Sequence, residues 1–337
     1  MTPQARINSR WDNFTLVTPG YDLIHSFNAV PILGAAPFIM TFEDYCPRVP
    51  PDRYNKMVET ILTRPLLTDR CKAIIAISDY GLRKFTHQHR DHPQLAELLA
   101  KTRVIYPGIC NHASRPKKAN DRLKLLFVGK DFLRKGGPAL VEAHKRLRAS
   151  GIPVDTTIIS ALRTKKDCYV SPPHDGRVGA VRADMNSEGI TLHEGLPHHE
   201  VMALMAMADY LLLPTLHDTF GYVSVEAMSV GTPVIASRTC AQPEIVEDGV
   251  SGHLLDMDND PRLGDWRWLY RKSEQGYADA YWHEIDNFAG QLTRLLSRAW
   301  EQRHAYESMS NAAIECAMTR FGTSQLASAL DTYYLAA

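Results

Sequence analysis

The fold of this chain is decided by residues 214–236, which read PTLHDTFGYVSVEAMSVGTPVIA. They follow an apolar strand at 209–213 and predict a loop, then a helix that begins near Gly221 and ends at Gly231, where glycine suits a left-handed C-cap. A second apolar strand, PVIA, closes the stretch at 233–236. Strand, loop, helix and strand form one unit of a parallel α/β sheet. Ligands of such sheets bind beyond the carboxyl ends of the strands, where this loop lies.

The stretch carries two carboxylates, Asp218 in the predicted loop and Glu226 in the predicted helix. A helix N-terminus has unpaired N–H groups and a partial positive charge, so the turn at 220–222 is suited to phosphate. Gly221 lets the backbone approach an anion closely. Carboxylates repel phosphate but accept hydrogen bonds from hydroxyls, and a nucleotide diphosphate sugar meets both demands. The alternative is an ordinary helix-terminal Asp and an exposed helix Glu, both of which are common.

A second motif begins with the apolar run 123–128, LKLLFV, which predicts a buried parallel strand. It continues into a loop that holds Lys130 and Lys135, and a helix begins at Pro138, a residue favoured in a first helical turn. Two ammonium groups on one short loop can converge on a diphosphate. The alternative is a solvated basic loop.

Together these motifs resemble those of the retaining family-4 glycosyltransferases of GT-B fold. That family carries the pattern E-x-F-G-x-x-x-x-E-A-x-A-x-G-x-P-V-I-A, and a V-G-R followed by K-G before a helix. Weaker likenesses extend over roughly residues 20 to 335. The matching segments are 72–78, 103–108, 191–195 and 242–252. The resemblance implies an α/β protein of two Rossmann-like domains facing across a cleft, the first of them shortened.

The resemblance also implies a role for each matching residue. Lys130 stands where the family has a diphosphate-binding Arg, and Lys135 matches its diphosphate-binding Lys. Asp218 replaces the first Glu, which touches the hydroxyls of the donor sugar, and Glu226 matches the second, which holds the ribose. The loop at 194–196 would line the base. The implied donor-binding residues are Gly129, Lys130, Lys135, Glu194, Gly195, Leu196, Asp218, Thr219, Phe220, Gly221, Tyr222, Val223 and Glu226.

Glu43 departs from the family pattern. It follows a predicted strand at the position where relatives place a His that contacts the donor sugar near the reaction centre. Glu43 could take a related hydrogen-bonding role or bind the acceptor, and the alternative is an ordinary loop acid. We therefore name Lys135, Asp218 and Glu43 as candidate catalytic residues and hold His25 as a weaker candidate for a polar contact.

The domain boundaries follow from composition and from the resemblance. Residues 1–111 are expected to form the acceptor-side domain, and the polar segment 112–121 to be a linker. Residues 122–305 would bind the nucleotide sugar. Helices within 306–337 would cross back to the first domain, as in GT-B proteins. Residues 256–286 are rich in aromatic side chains and look like an insertion, either a surface lobe or an oligomer contact.

Composition excludes several classes of function. Lys plus Arg and Asp plus Glu are 38 each, so the net charge is zero and no nucleic-acid footprint is expected. The six cysteines lack C-x-x-C spacing, which indicates reduced cytosolic thiols. The sequence predicts neither a metal site nor a cofactor. The first twenty residues lack the apolar core of a signal peptide. A cytoplasmic protein is expected, and a peripheral contact at the inner membrane face stays open.

The two motifs and the resemblance to the retaining family-4 glycosyltransferases together imply a retaining hexosyltransferase. Its donor would be a nucleotide diphosphate sugar, with UDP favoured, and its acceptor a sugar or lipid-linked hydroxyl in glycan, polysaccharide or glycolipid synthesis. Two other classes stay open. One is a non-catalytic nucleotide-binding partner subunit of a glycosyltransferase. The other is a nicotinamide dehydrogenase, which would need a G-x-G-x-x-G after the first strand that the loop at 129–137 does not fit.

Overall fold

The structure, a computed structural model, describes residues 14–15, 21–32, 34–48, 56–112, 116–161, 168–172 and 176–335. Most of the first twenty residues, on which the signal-peptide prediction rests, lie outside this part, as do residues 113–115 of the predicted linker. Within it, no helix is both long and apolar enough to cross a membrane.

The described strands are β1 (Phe14–Thr15), β2 (Ile24–Phe27), β3 (Val30–Pro31), β4 (Phe38–Phe42), β5 (Cys71–Ala76), β6 (Thr102–Val104), β7 (Leu123–Val128), β8 (Val154–Ile159), β9 (Ile190–His193), β10 (Tyr210–Leu213), β11 (Val234–Ser237) and β12 (Gly252–Leu255). The described α-helices are α1 (Lys56–Leu67), α2 (Asp79–Gln88), α3 (Leu95–Lys101), α4 (Gly137–Ala149), α5 (Gly176–Asp184), α6 (His198–Met207), α7 (Tyr222–Ser229), α8 (Gln242–Ile245), α9 (Tyr277–Glu301), α10 (Tyr306–Phe321) and α11 (Thr323–Tyr334). A 3-10 helix spans Arg303–Ala305.

The chain divides into two compact units. Unit 1 comprises Met1–Gly108 and Thr323–Ala337, and unit 2 comprises Ile109–Gly322. Helix α10 therefore belongs to unit 2, whereas α11 belongs to unit 1.

Unit 1 contains a parallel sheet in the order β2-β4-β5-β6, and a separate parallel pair formed by β1 and β3. The apolar run of β4 is buried on both faces, which is typical of a central parallel strand. On one face α11 contributes Leu330 and Tyr333, which pack against Ile39, Ala73 and Ile75.

Unit 2 contains a six-stranded parallel sheet in the order β12-β11-β10-β7-β8-β9. Chain order runs outward from β7 through β8 to β9, and then returns to the other side of β7 for β10. This is the order of a doubly wound Rossmann sheet, and its switch point lies between β7 and β10. The loops that follow these two strands are the two motifs that the sequence singled out.

The local elements at both motifs match their predictions. Strand β7 occupies the predicted residues, and α7 lies within the predicted helix, followed by Gly231 at φ 75°. Helix α4 begins at Gly137, and Pro138 lies in its first turn. These predictions are confirmed because periodicity and capping residues are local signals.

The aromatic-rich segment 256–286 contributes side chains to the hydrophobic core of unit 2. Helix α9 begins at Tyr277, so it takes in the end of this segment. Trp266, Tyr277, Tyr281 and Trp282 are buried in the main hydrophobic core of unit 2. These four side chains therefore do not lie on a surface lobe, which was one of the two alternatives for this segment.

Candidate nucleotide-sugar site

The loop after β7 passes very close to the backbone of the loop after β10. Gly136 has φ 72°, and a Cβ on it would lie 1.8 Å from the carbonyl oxygen of Pro214. A Cβ on Gly129 would lie 3.0 Å from Cγ of Lys135, so this glycine leaves room for the lysine stem. The loops after β7 and β10 are therefore in contact through backbone atoms that only glycine permits.

Lys135 and Asp218 form an ion pair at the centre of the site. Their side chains are 11% and 16% exposed, respectively. Burial lowers the pKa of Lys135, and the Asp218 carboxylate opposes that change. The sequence assigned the two residues to different parts of the ligand, the diphosphate and the sugar. The structure brings them together, so an anion that approaches the Lys135 ammonium would compete with the Asp218 carboxylate for it.

Arg134 ties the same two loops together and was not identified from the sequence. Its guanidinium donates to the carbonyl oxygen of His217 at 2.7 Å and to Oδ2 of Asp131 at 2.9 Å. The Arg134 carbonyl accepts in turn from the backbone N–H of Leu216 at 3.0 Å. The neighbouring Lys135 was the only signal in the sequence that could have pointed to Arg134.

The turn before α7 is held by Gln242, which is fully buried. Its Nε2 donates to the Phe220 carbonyl at 2.9 Å, and its Oε1 accepts from the Ser224 hydroxyl at 2.8 Å. Gly221 has φ 85°, and a Cβ there would lie 2.0 Å from Nε2 of Gln242. The first turn of α7, with N–H groups that lack intrahelical acceptors, is therefore fixed in place. Thr219 and Val223 are half-buried beside it, and Tyr222 is exposed.

Glu226 is half-buried on α7. Burial raises the pKa of its carboxyl, and His198 and His112 oppose that change. His198 is the first residue of α6, which packs against α7 and directly follows the loop at 194–197. The residues predicted to line the base and the residue predicted to hold the ribose are therefore neighbours in unit 2.

Three predicted residues lie in more open surroundings. Lys130 is exposed on the loop after β7, and Glu194 and Gly195 are exposed after the edge strand β9. Leu196 is half-buried. A Cβ on Gly195 would meet nothing within 4 Å, so no steric reason requires glycine at this position.

Glu43 lies in unit 1 and follows β4 directly. It is half-buried, its carboxylate is 3.7 Å from Nη1 of Arg48, and its backbone N–H donates to Oδ1 of Asn28 at 3.2 Å. In the same unit His25 has hydrogen bonds of 2.6 Å to Thr41 Oγ1 and to the Tyr334 hydroxyl. These contacts favour a structural role for His25.

The part of the chain that contains these loops is similar in sequence to known proteins. The family model Glycosyl transferases group 1 matches residues 111–265, which include the loops after β7 and β10. The D-inositol 3-phosphate glycosyltransferase of Mycobacterium tuberculosis is 28% identical over 249 residues, which cover 71% of this chain and 46% of that protein. The chain thus spans about half the length of the curated relatives it matches.

Solved structures show the same fold. HepE of Anabaena, in complex with UDP-glucose, has a TM-score of 0.60 at 16% identity, over 89% of this chain and 72% of that one. Sucrose-phosphate synthase of Thermosynechococcus elongatus has a TM-score of 0.63 at 17% identity, over 93% and 73%. The fold is therefore GT-B, and residues 111–265 are similar to the Glycosyl transferases group 1 family.

Proposed function

We propose that this protein is a retaining glycosyltransferase that moves a hexose from a UDP-sugar to a hydroxyl acceptor in glycan, polysaccharide or glycolipid synthesis. The observation that carries the proposal is the convergence of Lys135, Asp218 and the first turn of α7 at the switch point of the unit 2 sheet. UDP is favoured because the solved structures of HepE and of a pneumococcal O-GlcNAc transferase contain it.

In this proposal the protein stabilises the negative charge that develops on the leaving diphosphate as the glycosidic bond breaks. Lys130, Lys135 and the N–H groups at the start of α7 supply the positive potential. Asp218 orients the hydroxyls of the donor sugar. Because it also pairs with Lys135, Asp218 limits how far the ammonium can move toward a phosphate oxygen. The acceptor hydroxyl attacks from the face that the diphosphate leaves, so no covalent nucleophile is needed.

The test is a screen of nucleotide sugars by thermal shift, followed by product release with each one that binds. A ligand at 100 times its Kd stabilises the protein by about 2.7 kcal/mol, which such a screen detects. We expect a UDP-sugar to bind and to release UDP when an acceptor is present. Binding without release for any acceptor would favour the non-catalytic partner subunit, and the absence of nucleotide binding would contradict both.

Glu226→Gln is expected to weaken UDP binding by roughly tenfold or more, since a hydrogen bond to a charged group contributes about 1.5–3 kcal/mol. The ionised carboxylate accepts hydrogen bonds from the ribose hydroxyls more strongly than the protonated carboxyl does. Burial raises its pKa, so UDP affinity should fall as the pH drops through that raised value. Glu226→Gln should remove this pH dependence. Calorimetry with UDP across an acidic pH series measures both effects.

The control for Glu226 uses 2′,3′-dideoxy-UDP, which lacks the hydroxyls in question. It should bind the wild type and Glu226→Gln equally, and an equal loss for both nucleotides would rule out the ribose contact. Glu200→Gln, a change of the same kind on α6, should leave UDP affinity unchanged.

We also propose that Glu43 orients the donor sugar or the attacking hydroxyl. Glu43→Gln should then lower transfer by roughly tenfold, as expected for the loss of a hydrogen bond to a charged group, without changing UDP affinity. Transfer is measured by product release and affinity by calorimetry. Asp91→Asn, at an exposed acid of the same unit, is the matched control. An unchanged rate of transfer in Glu43→Gln would show that Glu43 is an ordinary loop acid with no role in transfer.

A further inference from the structure

His217, Cys240 and Asp265 form a buried cluster beside the proposed donor site. One ligand atom from each lies within 4.8 Å of the other two, and Nε2 of His217 is 4.0 Å from Oδ1 of Asp265. The three residues are 3%, 1% and 6% exposed, respectively. They come from three separate segments, the loop after β10, the segment after β11 and the start of the aromatic-rich region. Imidazole, thiolate and carboxylate are the protein ligands that zinc takes.

We infer that this cluster, which we call the HCD cluster, is a binding site for a divalent transition-metal ion of the zinc type. Ligands bonded to zinc at about 2.0–2.3 Å in tetrahedral geometry lie about 3.3–3.7 Å from one another. The ligand atoms of the cluster all lie within 4.8 Å of one another. Their separations therefore exceed those around a bound zinc ion by no more than about 1–1.5 Å. A fourth position is left for water, as in other zinc sites with three protein ligands.

The side chains of the HCD cluster are held in place by their neighbours. Nδ1 of His217 is 2.8 Å from the Tyr169 hydroxyl, which leaves Nε2 directed toward the cluster. A metal-binding His usually donates its other N–H to an oxygen acceptor, and the Tyr169 oxygen can serve as that acceptor. The Thr239 hydroxyl lies 3.6 Å from the sulfur of Cys240.

The backbones of the segments are also tied together. The Gly264 carbonyl accepts from the N–H of Cys240 at 3.1 Å and from the Thr239 hydroxyl at 2.9 Å. Cys240 has φ 50°, a left-handed conformation that costs energy for a residue with a Cβ. The fold thus keeps the cysteine next to Asp265 at an energetic cost, which is a feature common at functional sites.

The charges also fit a dication. Lys135 and Asp218 neutralise each other beside the cluster. A bound zinc ion takes the thiolate of Cys240, the carboxylate of Asp265 and neutral His217, which gives a neutral complex, and one proton leaves the thiol for the buffer. Tyr169 and Tyr270, 37% and 45% exposed, pack against the His217 ring, so the cluster lies one side-chain layer below the surface.

This inference revises the expectation that the chain binds no metal. The ligands are 23 positions apart (217 to 240) and 25 apart (240 to 265), far from the spacing of a local zinc motif, so no sequence pattern predicts this site. The site is distinct from the proposed diphosphate contacts, so its test does not depend on sugar transfer.

The test titrates the purified full chain with Co²⁺, which occupies zinc sites and reports a thiolate ligand by a sulfur-to-metal charge-transfer absorption. We expect this absorption to reach a plateau at one equivalent and to disappear when Zn²⁺ is added. Surface histidines bind Co²⁺ without this absorption, so they do not imitate the result. One equivalent of Zn²⁺ should also raise the melting temperature.

Cys240→Ser and Asp265→Asn should lose the absorption or weaken Co²⁺ binding at least tenfold. Cys316→Ser changes another buried thiol of unit 2 and should keep it. The inference is overturned if wild type shows no charge-transfer absorption at one equivalent, or if Cys240→Ser keeps it. Since the wild-type titration needs no variant, a variant that fails to fold leaves the test intact.

Discussion

Lys135→Ala is expected to lower the rate of sugar transfer by roughly 100-fold or more, the usual effect of removing a group that stabilises transition-state charge. It should also weaken UDP binding, because the proposed contact between the lysine and the diphosphate would form in the ground state as well. Steady-state kinetics of product release and calorimetry with UDP measure the two effects.

This variant also affects stability, since the Asp218 carboxylate loses its buried partner. Removing one member of a buried pair costs about 3–5 kcal/mol. The double variant Lys135→Ala with Asp218→Asn should recover much of that stability, but not UDP affinity. If stability and UDP affinity both recover in the double variant, Lys135 acts only as the ion-pair partner of Asp218. Lys145→Ala on α4 removes a lysine from an exposed ion pair and should match wild type in every measurement.

Gly136→Ala is expected to have the largest effect on stability. Two costs add at this position, a left-handed φ of 72° and a Cβ placed 1.8 Å from the Pro214 carbonyl oxygen. We expect a loss of more than about 4 kcal/mol, in the range of severe single substitutions. The contact joins the loops after β7 and β10, so stabilisation by UDP should disappear as well. Denaturant unfolding with and without UDP measures both.

Gly151→Ala is the matched control. Its φ of 79° is similar, but its Cβ would meet nothing within 4 Å. It should lose only the conformational part, about 1–2 kcal/mol, and keep its response to UDP. The difference between the two variants isolates the contact with Pro214. Equal losses in Gly136→Ala and Gly151→Ala would show that this contact contributes nothing.

The pairing of Lys135 with Asp218 shows where inference from sequence ends. Each residue was found from its own motif, because each follows an apolar strand and precedes a helix. Their contact spans 83 positions and depends on β10 lying beside β7. Arg134 and Gln242 were missed as parts of the site for the same reason, since their partners lie on other loops.

Signals in the amino-acid sequence are enough to predict the local units of this protein. The apolar runs of β7 and β10, the glycines at 136, 221 and 231, and Pro138 fix where strands and helices begin and end, because these signals act over a few residues. Tertiary structure alone decided the order of the strands, the burial of the aromatic side chains at 266–282 and the assembly of the HCD cluster. Side chains that are distant in sequence meet only when the strands have assembled into the sheet. Local periodicity carries no information about which strand becomes the neighbour of another.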